Sequence, residues 1–144
     1  MLFQNQDSSL KLEIVSYELP AGEGDPQSDD RNWLTLRATW NDNGEIVKDS
    51  NSCLLTYELQ EMTAGLKTLN AGIRSAYRSD FAEPYFSLAA RADGDAFAFD
   101  VSFYLPNIMY GDDTAEISCV MDKPSMKALL DELSRLCRRF PDRP

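Results

Sequence analysis

An α+β fold, a mainly antiparallel β-sheet with two amphipathic helices packed on one face, is what the sequence predicts. Apolar and polar residues alternate in several stretches of strand length, whereas two longer stretches repeat their apolar residues every three or four positions. Most of the strand-like stretches are joined by connections of hairpin size, which favours antiparallel pairing. The order is strands, helix, strands, helix within 144 residues, with no internal repeat and no linker. A single domain over residues 1–144 is therefore expected.

Leu10 to Leu19 reads as the first strand. Its apolar phase moves from Leu10, Leu12 and Ile14 to Val15, Tyr17 and Leu19, which suggests a bulge or a strand covered on both sides. Pro20 to Arg31 has the Gly, Pro, Asp and Ser content of a loop. In Trp33 to Trp40, Leu34, Leu36, Ala38 and Trp40 form one face, and Trp33 points the other way. Asn43-Gly44 suits a tight hairpin, so Glu45 to Ser50 is expected to return antiparallel. Thr56 is placed to cap a helix whose stripe is Leu59, Met62, Leu66, Leu69 and Ile73, with Glu58 and Glu61 favourable near its start.

A second set of strands begins near Pro84 and Tyr85 with Phe86, Leu88 and Ala90 on one face. Asp93-Gly94 makes a turn into Ala96 to Leu105, where Phe97, Phe99, Val101, Phe103 and Leu105 share a side. Glu116 to Met121 is a shorter strand. Pro124 suits the first turn of a last helix, because its missing N–H would be unpaired there anyway. That helix carries the stripe Met126, Leu129, Leu130, Leu133, Leu136, Cys137 and Phe140, complements its C-terminal dipole with Arg138 and Arg139, and stops at Pro141.

Composition excludes more than it selects. With 24 acidic residues against 14 basic ones and no histidine, the formal net charge is −10. Missing histidine removes Ser-His-Asp and Cys-His catalysis and imidazole metal ligation. The acidity argues against nucleic acid or anionic lipid as a partner, since a polyanion repels the chain. Cys53, Cys119 and Cys137 are scattered singly and do not form the close pairs of a zinc site, so they read as reduced core residues. Asp112, Asp113 and Glu116 lack the ligand spacing of a calcium loop. Gly22 and Gly24 lie among carboxylates without a lysine and cannot cradle phosphate. No metal, no cofactor and no enzymatic activity are expected, since nothing selects one carboxylate pair for catalysis. The first residues carry no basic, apolar targeting pattern and no stretch reaches membrane-span length, so a cytoplasmic location is expected.

The charge is unevenly placed. Residues 1–31 hold seven acids and two bases, and residues 93–122 hold seven acids and none; residues 123–144 carry six bases against three acids. Such segregation fits a field that steers a basic protein partner, although the same acids also serve solubility. Residues 107–115, joining two strands, set Ile108, Met109 and Tyr110 beside Asp112 and Asp113, an apolar knob flanked by charge. The candidate partner-binding residues are Met109, Tyr110, Asp112, Asp113 and Glu116 from this segment, with Glu23, Asp25, Asp29, Asp30 and Trp33 from the first loop and its exit. Trp33 and Tyr104, both opposite their strands' apolar rows, suggest an aromatic patch on the open side of the sheet.

Four motifs in order carry a resemblance. Asn32-Trp33-Leu34 opens a strand; Ser52 to Leu59 (SCLLTYEL) enters a helix; Phe81 to Ser87 (FAEPYFS) leads into another strand; and a final helix ends Arg138-Arg139-Phe140-Pro141. Together, across roughly residues 2–141, they resemble the WapI family of bacterial immunity proteins. Tyr57 departs from the family pattern, which has Trp, but keeps an aromatic at the helix start. The resemblance implies a small cytosolic protein that binds and neutralises the C-terminal toxin domain of a contact-dependent, cell-wall-associated toxin, in the best-known cases a nuclease acting on tRNA. A nuclease presents a basic substrate groove, so the expected partner is a basic toxin domain. The alternative is a small acidic secretion chaperone or a general protein-interaction module without catalytic activity. The oligomeric state is open, with a lean towards a monomer.

Overall fold

The computed structural model describes residues 1–108 and 114–144. Strands β1 (Leu2–Gln4), β2 (Ser8–Tyr17), β3 (Trp33–Asp42) and β4 (Glu45–Leu55) pair antiparallel in chain order as one four-stranded sheet. Helix α1 (Thr56–Asn70) follows, then β5 (Ala76–Arg78), β6 (Phe86–Asp93), β7 (Ala96–Tyr104) and β8 (Thr114–Met121) as a second four-stranded meander, and finally helix α2 (Lys123–Arg139). The α+β class holds, but the strands divide into two sheets instead of one. Their seam is made by β1 and β8, where the Asn5 side-chain amide donates to the Ser118 carbonyl at 3.0 Å.

The alternation in the sequence explains which face of each sheet is buried. Leu10, Leu12, Leu34 and Leu36 from the first sheet and Phe86, Phe99 and Phe103 from the second are almost wholly excluded from solvent. Phe3 of β1 joins the two sets, with its ring centroid 5.9 Å from that of Phe99. Both helices press their stripes into the same core, α1 through Leu59, Met62, Leu66 and Leu69, and α2 through Met126, Leu129, Leu130 and Leu133. Burying each such side chain contributes about 1.5–3 kcal/mol. The cysteines are free, with Cys53 and Cys119 buried in this core and Cys137 half-buried. Burial pushes the Cys53 thiol up to about 12.

Local chemistry accounts for the joins. The β2–β3 register shifts between Ile14 and Ser16, so the predicted bulge is present, and it turns Val15 out to solvent. Asn43 and Gly44 both take positive φ, 51° and 90°, which matches the hairpin twist. The Asp122 carboxylate caps α2 by accepting from the Ser125 N–H at 2.8 Å, with Pro124 in the first turn.

Three expectations change. Thr56 is the first residue of α1 and not its cap: Leu55 holds that position, and the buried Thr56 hydroxyl has no hydrogen-bond partner among the described residues. Instead Glu58 reaches back to the Leu55 N–H at 3.0 Å. Ile73 does not extend the α1 stripe, because the helix ends at Asn70 and Gly72 turns the chain with φ 76°, leaving Ile73 76% exposed. Strands β1 and β5 are additions, each of three residues and too short to show a period in sequence.

Candidate partner-binding surface

Residues 18–32 leave the first sheet between β2 and β3 and carry Glu23, Asp25, Asp29 and Asp30, all exposed. Asp25 and Asp30 shape the loop: the Gln27 N–H donates to Asp25 Oδ1 at 2.9 Å and the Asp25 N–H to Asp30 Oδ2 at 3.2 Å. Ser28 caps a 3-10 turn, Asp29–Asn32, by accepting from the Asp30 N–H. Such Asx and Ser contacts satisfy backbone donors without using the rest of each side chain's acceptor capacity.

Arg31 within the loop and Arg143 of the C-terminal segment do not pair with the loop's carboxylates. Arg31 Nε donates to the Gly24 carbonyl at 3.0 Å, and Arg143 donates to the Arg31 carbonyl at 2.7 Å and the Leu19 carbonyl at 3.0 Å. The Arg143 guanidinium also lies 3.7 Å from the centroid of the Tyr17 ring, whose hydroxyl donates to the Pro141 carbonyl. Asn32 closes the joint in both directions with Arg143, accepting its N–H at 2.7 Å and donating to its carbonyl at 3.1 Å. The guanidiniums thus hold the loop by its backbone oxygens. Among the described residues, ion pairs engage only the carboxylates of Glu13, Asp131 and Glu132, so Glu23, Asp25, Asp29 and Asp30, like Glu18 at the start of the loop, keep their charge unpaired.

The loop is tied to the start of α1. Tyr57 Oη lies 3.4 Å from Asp29 Oδ2, and burial, followed by the Asp29 charge, pushes the Tyr57 phenol above its usual range. One turn along, Glu58 is buried, with Oε1 on the Leu55 N–H and Oε2 on the Ala82 N–H at 2.7 Å. Desolvation raises its carboxyl above the ordinary value, against the pull of those two N–H groups. A raised carboxyl can mark an acid catalyst, but both oxygens of Glu58 brace backbone, and its role here is structural.

The second acidic segment is anchored on β4. The buried Asp49 accepts from the Asn107 N–H and from the Asn107 side-chain amide, each at 2.7 Å. Met109, Tyr110, Asp112 and Asp113 lie outside the described residues. Asp49, which holds Asn107, and Leu55, which precedes α1, are six residues apart on β4, about 20 Å along the strand.

The remaining candidates separate. Glu116 is exposed on β8, on the face of the second sheet turned away from the core, in register with Ser102. Trp33 is half-buried at the start of β3, opposite Leu55. Because Trp33 belongs to the first sheet and Tyr104 to the second, they do not make one aromatic patch. Tyr104 pairs instead with Tyr85, just before β6, at 5.2 Å between ring centroids, a pairing that depends on the β6–β7 register. Among the described residues no cluster of three or more His, Cys, Asp or Glu side chains is arranged to hold a metal ion. No described helix is long and apolar enough to cross a membrane.

A domain with two sheets closed over two helices, an exposed acidic loop held open by backbone contacts, and an acidic carboxyl turned to structural use has the features of a protein-binding module. The family comparison makes that specific: residues 1–141 match the model of the Immunity protein WapI-like family, and the chain belongs to that family. Membership implies a toxin-immunity role with a toxin protein as partner, and suggests a non-catalytic one. Comparison with curated proteins and with solved structures gives no match.

Proposed function

We propose that this protein acts in the cytoplasm of a bacterium, where it binds and neutralises a basic toxin domain of nuclease type through acidic surface complementarity. The observation that carries the reading is the unpaired charge of Glu23, Asp25, Asp29 and Asp30, kept free because Arg31 and Arg143 bond to backbone carbonyls. The segment containing Met109, Tyr110, Asp112 and Asp113 supplies the apolar anchor and further acid, and Trp33 flanks the surface, whereas Glu116 lies apart on the outward face of the second sheet. Inhibition needs no reaction on this chain: carboxylates stand where a nuclease would bind phosphates, and complementary fields raise the association rate.

The test is stopped-flow association with a basic nuclease toxin domain that this protein neutralises. Changing Asp29, Asp30, Asp112 and Asp113 together to Asn keeps acceptors for the loop's hydrogen bonds and removes four charges. Association should slow by about tenfold or more at low salt, with the difference shrinking as salt rises. An unchanged rate at low salt overturns the assignment.

A further inference from the structure

Among the described residues, nothing packs over the outward face of the second sheet. Both helices pack on its other side, and Arg78, Arg91, Asp100, Glu116 and Val120 are all exposed. Register sets them in rows. Arg78, Ala89, Asp100 and Ser118 lie side by side across β5, β6, β7 and β8. Ser87, Ser102 and Glu116 form the row on one side of it, and Ala76, Arg91, Ala98 and Val120 the row on the other.

Charge divides this face by strand. In these rows β5 and β6 carry Arg78 and Arg91, whereas β7 and β8 carry Asp100 and Glu116; Asp93 stands beyond them at the hairpin turn. Arg78 and Asp100 share a row but are separated by β6, about 10 Å at two strand spacings, and neither forms an ion pair with a described residue. A depression of about 570 Å³ lies between them, lined by Ala89, Ser87, Ser102 and Ser118.

We propose that a second copy of this chain docks on this face. A two-fold axis lying in the interface, parallel to the strands and between β6 and β7, places β5 of one copy over β8 of the other and keeps each row at its own level. Arg78 of each copy then reaches the Asp100–Ser118 end of the same row in its partner, and the small side chains of Ala89, Ser87 and Ser102 leave room for it. Self-complementarity of this kind is what an isologous interface requires. Stacked sheets pack about 10 Å apart, a gap that an arginine side chain spans, and the Tyr85–Tyr104 pair supplies an aromatic anchor at one end of the face. The plan area is only about 400 Å² per copy, at or below the lower end of specific interfaces, so the dimer is weak and concentration-dependent. The proposal does not rest on toxin binding.

Sedimentation velocity over about 1–300 µM, a range matched to weak interfaces, tests it with three proteins. Wild type should pass from monomer to dimer as concentration rises. Arg78→Asp and Asp100→Arg should each weaken self-association at least tenfold, because like charges then face each other. An equimolar mixture of the two variants should restore the dimer, since both cross-copy pairs become complementary again. Circular dichroism of each variant establishes that it is folded. A wild type that stays monomeric throughout overturns the proposal, as does a variant that still dimerises as wild type or a mixture that fails to associate. If wild type is monomeric and Arg78→Asp changes toxin affinity, the face belongs to the toxin.

Discussion

The ring of Tyr77 on β5 occupies the space that a side chain at Gly65 on α1 would need: a Cβ there would fall well inside contact distance of the Tyr77 ring carbons. The helix thus comes close enough to β5 for glycine to be the residue that fits, and the half-buried Tyr77 packs against the core beneath it. Gly65→Ala should destabilise by about 1–3 kcal/mol despite alanine's better helix propensity. Urea denaturation of Gly65→Ala in the wild-type and Tyr77→Ala backgrounds checks it. In the second background the alanine should cost little or stabilise, giving a coupling of about 1 kcal/mol or more.

Glu58 gives stability a pH dependence of defined sign. Its carboxyl is raised in the folded protein, so the native state holds more protons than the unfolded chain just above the ordinary carboxylate value. Its contribution therefore grows as pH falls through that window. Glu58→Gln does not titrate and leaves one of the Leu55 and Ala82 N–H groups facing a donor, at a cost of about 1–3 kcal/mol. The gap between wild type and variant should widen between about pH 7 and about pH 5, read from denaturation midpoints. A gap that narrows contradicts the assignment. Asp122 and Asp131 are lowered, first by the Ser125 N–H and by the Lys127 side chain respectively, so their contributions are lost only below the ordinary range.

Thr56→Val should be neutral or stabilising by up to about 1 kcal/mol, because it deletes a buried hydroxyl without a partner among the described residues and retains the shape of the side chain. The transition midpoint in urea, with unchanged slope, measures it. A loss of more than about 1 kcal/mol would show that the hydroxyl has a partner in solution.

Asp49→Ala should release Asn107 and with it the base of the second acidic segment. Two hydrogen bonds are lost at a buried site, worth about 1–3 kcal/mol. The sharper readout is local: hydrogen exchange of the Asn107 amide should accelerate well beyond that of Leu12 and Leu36 in the core, where exchange should follow only the change in global stability.

Most elements were legible because their periods are clean: Phe97 to Leu105 alternates without a break, and the α2 stripe, its cap and its proline stop agree with one another. Hidden features had no local signal. The division into two sheets depends on β1 meeting β8, a contact between residues more than 110 apart in sequence. Leu55 as the cap of α1 defies side-chain preference, because Glu58 supplies the missing acceptor from inside the helix. For the candidate surface, composition identified the first acidic loop but not what becomes of the basic residues, since a guanidinium that binds carbonyls looks the same in sequence as one that binds carboxylates.

The Arg31 and Arg143 contacts separate the loop's architecture from its vocabulary. Because these arginines grip main-chain oxygens, the path of residues 18–32 owes little to the side chain of Glu23, and Asp29 adds only its contact with Tyr57. Those positions can change to other polar residues while the frame beneath them stands. A lineage pursuing a shifting adversary can rewrite the outer letters one at a time, each step tested for recognition and none charged against folding.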